Sequence, residues 1–261
     1  MIVQKRREFL RLIRQHDHAL ASGRLALEWA GNGDAPEPLS HETVLGVSLH
    51  DVGWSRADDT PRWDPVTGGV VGFETFPVEE RAALYEEGLA FVERVHGWSA
   101  LLCTLHYAGF GVSEDFRRRQ DARLARLRAA VCPTEADDAR ARRDLAFLRW
   151  FDDLSLVACL TGPLSLEPPA WLDTARLTSG PDGIAREVRW ADESTLAIDP
   201  FPFRVPVTLE IPCRDLPGRL DDAEALRRGW DSAPWRRHPV RVTPPARIAE
   251  PGLDARRWTR I

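Results

Sequence analysis

Lysine is almost missing from this 261-residue chain: Lys5 is the only one among 35 basic residues. No lysine is placed to cradle a phosphate in a Walker-type loop, and none beyond Lys5 is available for Schiff-base chemistry. The four cysteines, Cys103, Cys132, Cys159 and Cys213, form no Cys-x-x-Cys pair, which removes zinc knuckles and thioredoxin-like motifs. Cys103 and Cys159 lie in apolar helical runs and read as buried thiols. A long hydrophobic run is also lacking. The most apolar stretch, 154–166, is broken by Gly162 and Pro163 and falls short of the roughly 20 residues a membrane helix needs. The N-terminus is basic, but Glu8, Arg11 and Arg14 interrupt any signal-peptide core, so a cytoplasmic protein with no membrane partner is expected. Excess charge of one sign is absent too: the net charge of −5 offers no bulk grip on a polyanion, and non-specific nucleic-acid binding is not expected.

What is present is ordinary globular material, 43% apolar and 29% charged. The chain is long enough to bury a core without disulfide or metal staples. Composition divides it in two. Residues 1–164 read as a helical domain, with proline confined to connections. Residues 165–261 read as a Pro-rich, β-containing subdomain packed on it, with period-2 runs near 184–190, 205–211 and 240–242 and a short helix at 221–228. Ile2-Val3 and the stretch 9–13 suggest a small strand pair. Helices are predicted from His16 or Asp17 to the Gly31-Asn32-Gly33 stop, from the Ser40 cap to His50-Asp51, and over 78–95, 98–108, 114–130 and 134–161. Gly53 to Phe76 is a long irregular segment, of a length that is often functional. The fold class expected is mainly α, a helical bundle with a small C-terminal β-rich appendage.

The scarce histidines carry the functional signal. Of seven, His18, His50, His96 and His106 fall on or at the ends of predicted helices, and Asp51 follows His50 directly. His18 shares a helix face with Ser22, Leu25 and Trp29. Asp152 shares the apolar face of a long helix with Leu145, Leu148, Ser155 and Leu156. A carboxylate there is costly unless it binds a metal or pairs with an arginine from another helix. Asp153 lies one turn from Arg149, and a surface ion pair accounts for it more cheaply. His16, His41 and His238 read as solvated.

The order His18, His50-Asp51, His106, Asp152, all on helices, resembles the HD-domain superfamily of metal-dependent phosphohydrolases. The local wording is closer to an uncharacterised bacterial domain family related to it. Gln15-x-x-His18, Leu49-His50-Asp51-x-Gly53-Trp54, Asp58-x-x-Pro61, Thr67-Gly68, Leu105-His106-Tyr107, Asp152-x-Leu154-Ser155-Leu156 and Pro200-Phe201-Pro202-Phe203 look like its signature segments. The resemblance implies an HD-like bundle in which His18, His50, Asp51 and Asp152 bind a divalent metal, with Asp51 as the bridging carboxylate if two ions are held. His106 would assist a second ion or the substrate, and His96 is a weaker further ligand. Imidazole with carboxylate suits iron, manganese, cobalt or zinc, and ligand type does not choose among them.

Around this set, Gln15 is a candidate hydrogen-bonding residue for ligand or metal-bound water. Trp54, Asp58 and Trp63 either form the pocket wall or lid or merely pin the long loop, and Arg56 is a candidate contact for an anionic small-molecule substrate. The function expected first is hydrolysis of a small phosphorylated metabolite or nucleotide, with Asp51 and His106 as catalytic residues. A di-iron oxygenase of the HD type is the alternative, and its six protein ligands would require both His96 and His106. A non-catalytic module keeping one structural metal is the third reading.

Overall fold

The computed structural model describes residues 1–31, 38–162, 171–172 and 174–245. The chain opens with a hairpin, β1 (Ile2–Lys5) and β2 (Phe9–Ile13), and then runs through helices α1 (Gln15–Leu27) and α2 (His41–Leu49). Two single-turn helices, Val52–Trp54 and Ala57–Asp59, and a two-residue ribbon, β3 (Trp63–Asp64) with β4 (Gly69–Val70), order the long segment that looked irregular. A third short turn, Phe73–Thr75, precedes α3 (Val78–Val95), α4 (Gly97–Ala108), α5 (Glu114–Val131), α6 (Glu135–Leu160) and α7 (Thr174–Ser179). The remainder is β5 (Glu187–Trp190), β6 (Thr195–Asp199), β7 (Val207–Pro217), α8 (Ala223–Ser232) and β8 (Arg236–Thr243).

The helices begin where their caps stand. Ser40, Ser113 and Asp222 accept from backbone N–H groups in the first turns of α2, α5 and α8. Thr134 and Asp137 cap α6 reciprocally. Backbone close approach sets the crossing of α1 and α2: a Cβ on Gly23 would fall 1.9 Å from Ser48 Oγ, so only glycine lets these helices come together. That contact brings the middle of α1 against the end of α2, and with it His18 towards His50. α2 in turn packs on α4, and α1 and α4 both pack on α6.

The mainly α expectation is corrected by the strands. They form one curled, six-stranded mixed sheet in the order β1-β2-β7-β8-β6-β5, antiparallel except where β6 runs parallel to β8. It is no small C-terminal appendage, because the N-terminal hairpin belongs to it: β2 pairs with β7 from Phe9↔Pro217 to Ile13↔Cys213. The Arg11 guanidinium closes that seam on Asp215 at 2.8 and 2.9 Å. The alternation along β7 gives the reason. Val207, Leu209, Ile211 and Cys213 all point inward and join the core that α1 and α6 also line. The other face carries a second cluster, Met1, Leu12, Leu216, Leu226 and Trp230, covered by α8. His238, read as solvated, is buried on β8 at 9% exposure, because its position alternates into the sheet.

Among the described residues, no helix is long and apolar enough to cross a membrane.

Candidate metal centre

Four helical segments deliver the cluster. His18 comes from the first turn of α1, His50 and Asp51 from the end of α2, His106 from the last turn of α4, and Asp152 from the second half of α6. Three of them, His18, His50 and Asp152, are buried and offer one donor atom each, all within 4.8 Å of one another, a spacing that could hold one metal ion. Asp51 stands among them: its Oδ2 is 2.9 Å from His18 Nε2 and 3.9 Å from His50 Nε2. His50 Nε2 is 3.4 Å from Asp152 Oδ1, and His106 Nε2 is 3.5 Å from Asp152 Oδ2.

The outer hydrogen bonds orient these rings. His50 Nδ1–H donates to the Val47 carbonyl at 2.7 Å, which turns Nε2 towards the carboxylates. That nitrogen is buried and has no hydrogen-bond partner. Ser155 Oγ donates to the Asp152 carbonyl at 2.9 Å and so accepts from His18 Nδ1 at 2.8 Å, turning His18 Nε2 inward in the same way. Tyr107, buried in α4, donates to Asp51 Oδ1 and also lies 2.8 Å from the His50 carbonyl. It fixes Asp51 with Oδ2 towards the two histidines. Gly53 sets the turn that follows: a Cβ there would fall 2.0 Å from the Leu84 carbonyl oxygen, so glycine alone allows the turn after Asp51 to lie flat on α3.

The electrostatics match the geometry. Burial opposes charge on His50, but Asp152 and Asp51 outweigh it and raise its pKa to about 9. Burial would also raise Asp51 and Asp152, yet the neighbouring histidines, His50 first, hold both below the usual carboxylate range. His106 goes the other way: burial pushes it down to about 3 against the pull of Asp152. The cluster therefore joins ionised carboxylates to imidazole rings whose Nε2 atoms are directed inward, a donor set that could hold a metal ion once it displaces the His50 proton.

A cavity of about 610 Å³ opens above the cluster, with His18, Asp51, His106 and Asp152 at its floor. Gln15, the first residue of α1, also lines it, and its Oε1 is buried without a partner. The other expected wall residues are elsewhere. Trp54 is fully buried, edge-on to Phe76 and Tyr85 at 5.1 and 6.0 Å between ring centres. Trp63 lies on β3 against the outer cluster, and Arg56 is exposed. Asp58 pins the loop: its carboxylate holds the Met1 ammonium at 2.5 Å and accepts from the Gln15 backbone N–H. His96 is exposed and caps α4, accepting from Ser99 N. It stands ten residues, about 15 Å of helix, from His106. Asp153 is not the surface residue expected: it is buried at 4% exposure and lines the cavity. Sequence reasoning also passed over Tyr107 and Ser155 as orienting groups, although both stood inside segments already singled out. Asp153, Arg81 and Arg149 in the cavity wall had no distinguishing signal, since only the tertiary fold turns them inward.

No curated protein and no solved structure matches this chain. A family model described as a protein of unknown function, DUF3891, matches residues 1–218, a span that holds the whole cluster, the cavity and five of the six sheet strands. The chain therefore belongs to the DUF3891 family.

Proposed function

We propose that the chain is a metal-dependent phosphohydrolase of the HD type, acting on a small phosphorylated metabolite or nucleotide. The observation that carries this is His50: its Nδ1–H is spent on a backbone carbonyl, while its buried Nε2 has no hydrogen-bond partner and faces two carboxylates. A buried ring nitrogen held between two carboxylates without a hydrogen bond is placed to trade its proton for a divalent cation. His18, Asp51 and Asp152 complete the set, and their order with His50 along the chain is that of the HD superfamily. A divalent ion held there supplies Lewis acidity, making water nucleophilic at neutral pH and drawing charge from a phosphoryl oxygen.

The chain's own residues do the rest. Tyr107 holds one oxygen of Asp51 and leaves the other for the ion. His106, kept neutral by burial, presents one N–H and one lone pair at the cavity floor and serves a second ion or the charge developing on the substrate. The apolar surround, with Tyr85 and Leu156 in the cavity wall, limits water and strengthens each of these interactions. The oxygenase reading would draw His96 into the ligand set. Its place at the start of α4, about 15 Å from His106, puts hydrolysis first.

The test is metal analysis of anaerobically purified protein, followed by a phosphate-ester panel with added manganese or cobalt. Metal-dependent turnover that falls by orders of magnitude in His50→Ala and Asp51→Ala supports the reading. Two irons per chain with substrate-dependent oxygen uptake, and no ester hydrolysed, would replace it with oxidation.

A further inference from the structure

Two arginines stand in the walls of the cavity above the His/Asp cluster. Arg149 lies on α6 three residues before Asp152 and four before Asp153, so the three project from one helix face. All three line the cavity. Gly109, directly after α4, opens the room the guanidinium occupies: a Cβ there would be 3.0 Å from Arg149 Nη2 and 3.4 Å from the His106 carbonyl oxygen. On the other wall, Arg81 lies one turn before Tyr85 on α3, and both line the cavity. Arg81 Nη1 donates to the Phe73 carbonyl at 3.4 Å, and its Nε–H is buried without a partner.

We propose that Arg149, with His106 beside it, forms a phosphoryl-oxyanion subsite on the inner wall of this cavity, and that Arg81 closes the same subsite from α3. The proposal rests on the phosphohydrolase reading and adds where the anion is held and by which groups. Charge balance is the first reason. Asp51 and Asp152 would be matched by one divalent ion, while Asp153 and Glu74 also line the cavity and repel an anion. A phosphoryl group entering there needs cations of its own, and these two arginines are the ones that line the cavity among the described residues. Geometry is the second. A guanidinium presents a planar fork of five N–H donors that matches two oxygens of a tetrahedral oxyanion. Position is the third. Arg149 is one turn from Asp152 on α6 and lines the same cavity as His106, which places an oxyanion on its fork on the side of the proposed ion site.

The probe is inorganic phosphate, titrated calorimetrically into the full chain loaded with manganese at fixed ionic strength. Wild type should bind phosphate saturably. Arg149→Gln should weaken that binding by about tenfold or more, with Arg149→Lys in between because it keeps the charge and loses the fork. Arg81→Gln should weaken it less. Arg142→Gln, an exposed position on the same helix, should leave it unchanged. Manganese per chain should be equal in all five proteins. Phosphate bound as tightly by Arg149→Gln as by wild type, at equal manganese, overturns the subsite and leaves the hydrolase reading standing. Manganese lost from Arg149→Gln and Arg149→Lys also overturns it, making the residue a support of the metal centre. A wild type that holds manganese and binds no phosphate overturns the subsite and counts against the hydrolase reading with it.

Discussion

His50 is committed at one ring nitrogen and uncommitted at the other, and that asymmetry has a measurable consequence. In the ion-free centre the ring keeps its proton to about pH 9, whereas the carboxylates are already ionised and His106 is already neutral. Between about pH 7 and 9, uptake of one divalent ion should therefore release about one proton, and the apparent association constant should rise roughly tenfold per pH unit before levelling off above pH 9. Calorimetry in two buffers of different ionisation enthalpy reads the proton count directly; no release at pH 7.5 would remove His50 from the ligand set. Tyr107 gives the second prediction at this scale. Tyr107→Phe keeps the ring stacked on Tyr85, 4.1 Å between centres, and deletes only the hydroxyl that orients Asp51. The fold should survive while metal affinity falls about 10–100-fold, as losses of orienting partners do. An unchanged affinity in a competition titration would show that Asp51 needs no such support.

At the scale of elements, the site is built by close packing more than by local propensity. The turn at Val52–Trp54 lies on α3 because Gly53 and Gly88 leave no side chain between the backbones. Gly53→Ala sets a Cβ against the Leu84 carbonyl, which is backbone and cannot swing away. The variant should lose about 1–3 kcal/mol in urea unfolding and bind metal more weakly as Asp51 shifts. The far end of α6 offers the contrasting case. Thr134→Ala removes the reciprocal cap with Asp137 and should cost about 1 kcal/mol. The cap is 18 residues, roughly 27 Å of helix, from Asp152, so the metal isotherm should not change. If the cap variant lost metal as the glycine variant does, stability rather than placement would be governing the site.

For the molecule as a whole, the sheet and the helices share a core. Leu209 of β7 is buried with Ile13 and Leu25, and the hairpin at residues 2–13 is tied to β7 across the length of the chain. Leu209→Ala should cost about 2–5 kcal/mol. Far-ultraviolet dichroism and tryptophan fluorescence should report one coincident unfolding transition, with metal uptake lost in that same transition. Two separated transitions would show that sheet and helices are stabilised independently.

The sequence by itself determined what depends on near neighbours. The helix caps at Ser40 and Thr134, the run over 78–95, the strand pair at the N-terminus and the His50-Asp51 pair are read from periodicity, capping chemistry and the scarcity of histidine. Asp152 was selected because a carboxylate on an apolar helix face demands a partner wherever that face is buried. Tertiary structure decided whatever depends on which distant segments meet. Strands β2 and β7 are some two hundred residues apart, and no local pattern says which strand will accept another's backbone hydrogen bonds, so an N-terminal hairpin and a C-terminal run looked like separate pieces. Asp153 looked like half of an i,i+4 surface pair because helical spacing fixes the angle around α6 and not what covers each side of it. Trp63 and Arg56 looked like pocket residues because they follow the motif in sequence, while the fold packs Trp63 on the outer cluster and leaves Arg56 exposed. Packing of α1, α2 and α6 places His18, His50, Asp51 and Asp152 together, and the assembled fold brings Arg81 and Arg149 into the lining of the same cavity. Spacing along a chain sets which residues share a face; only the assembled core sets which faces look at each other.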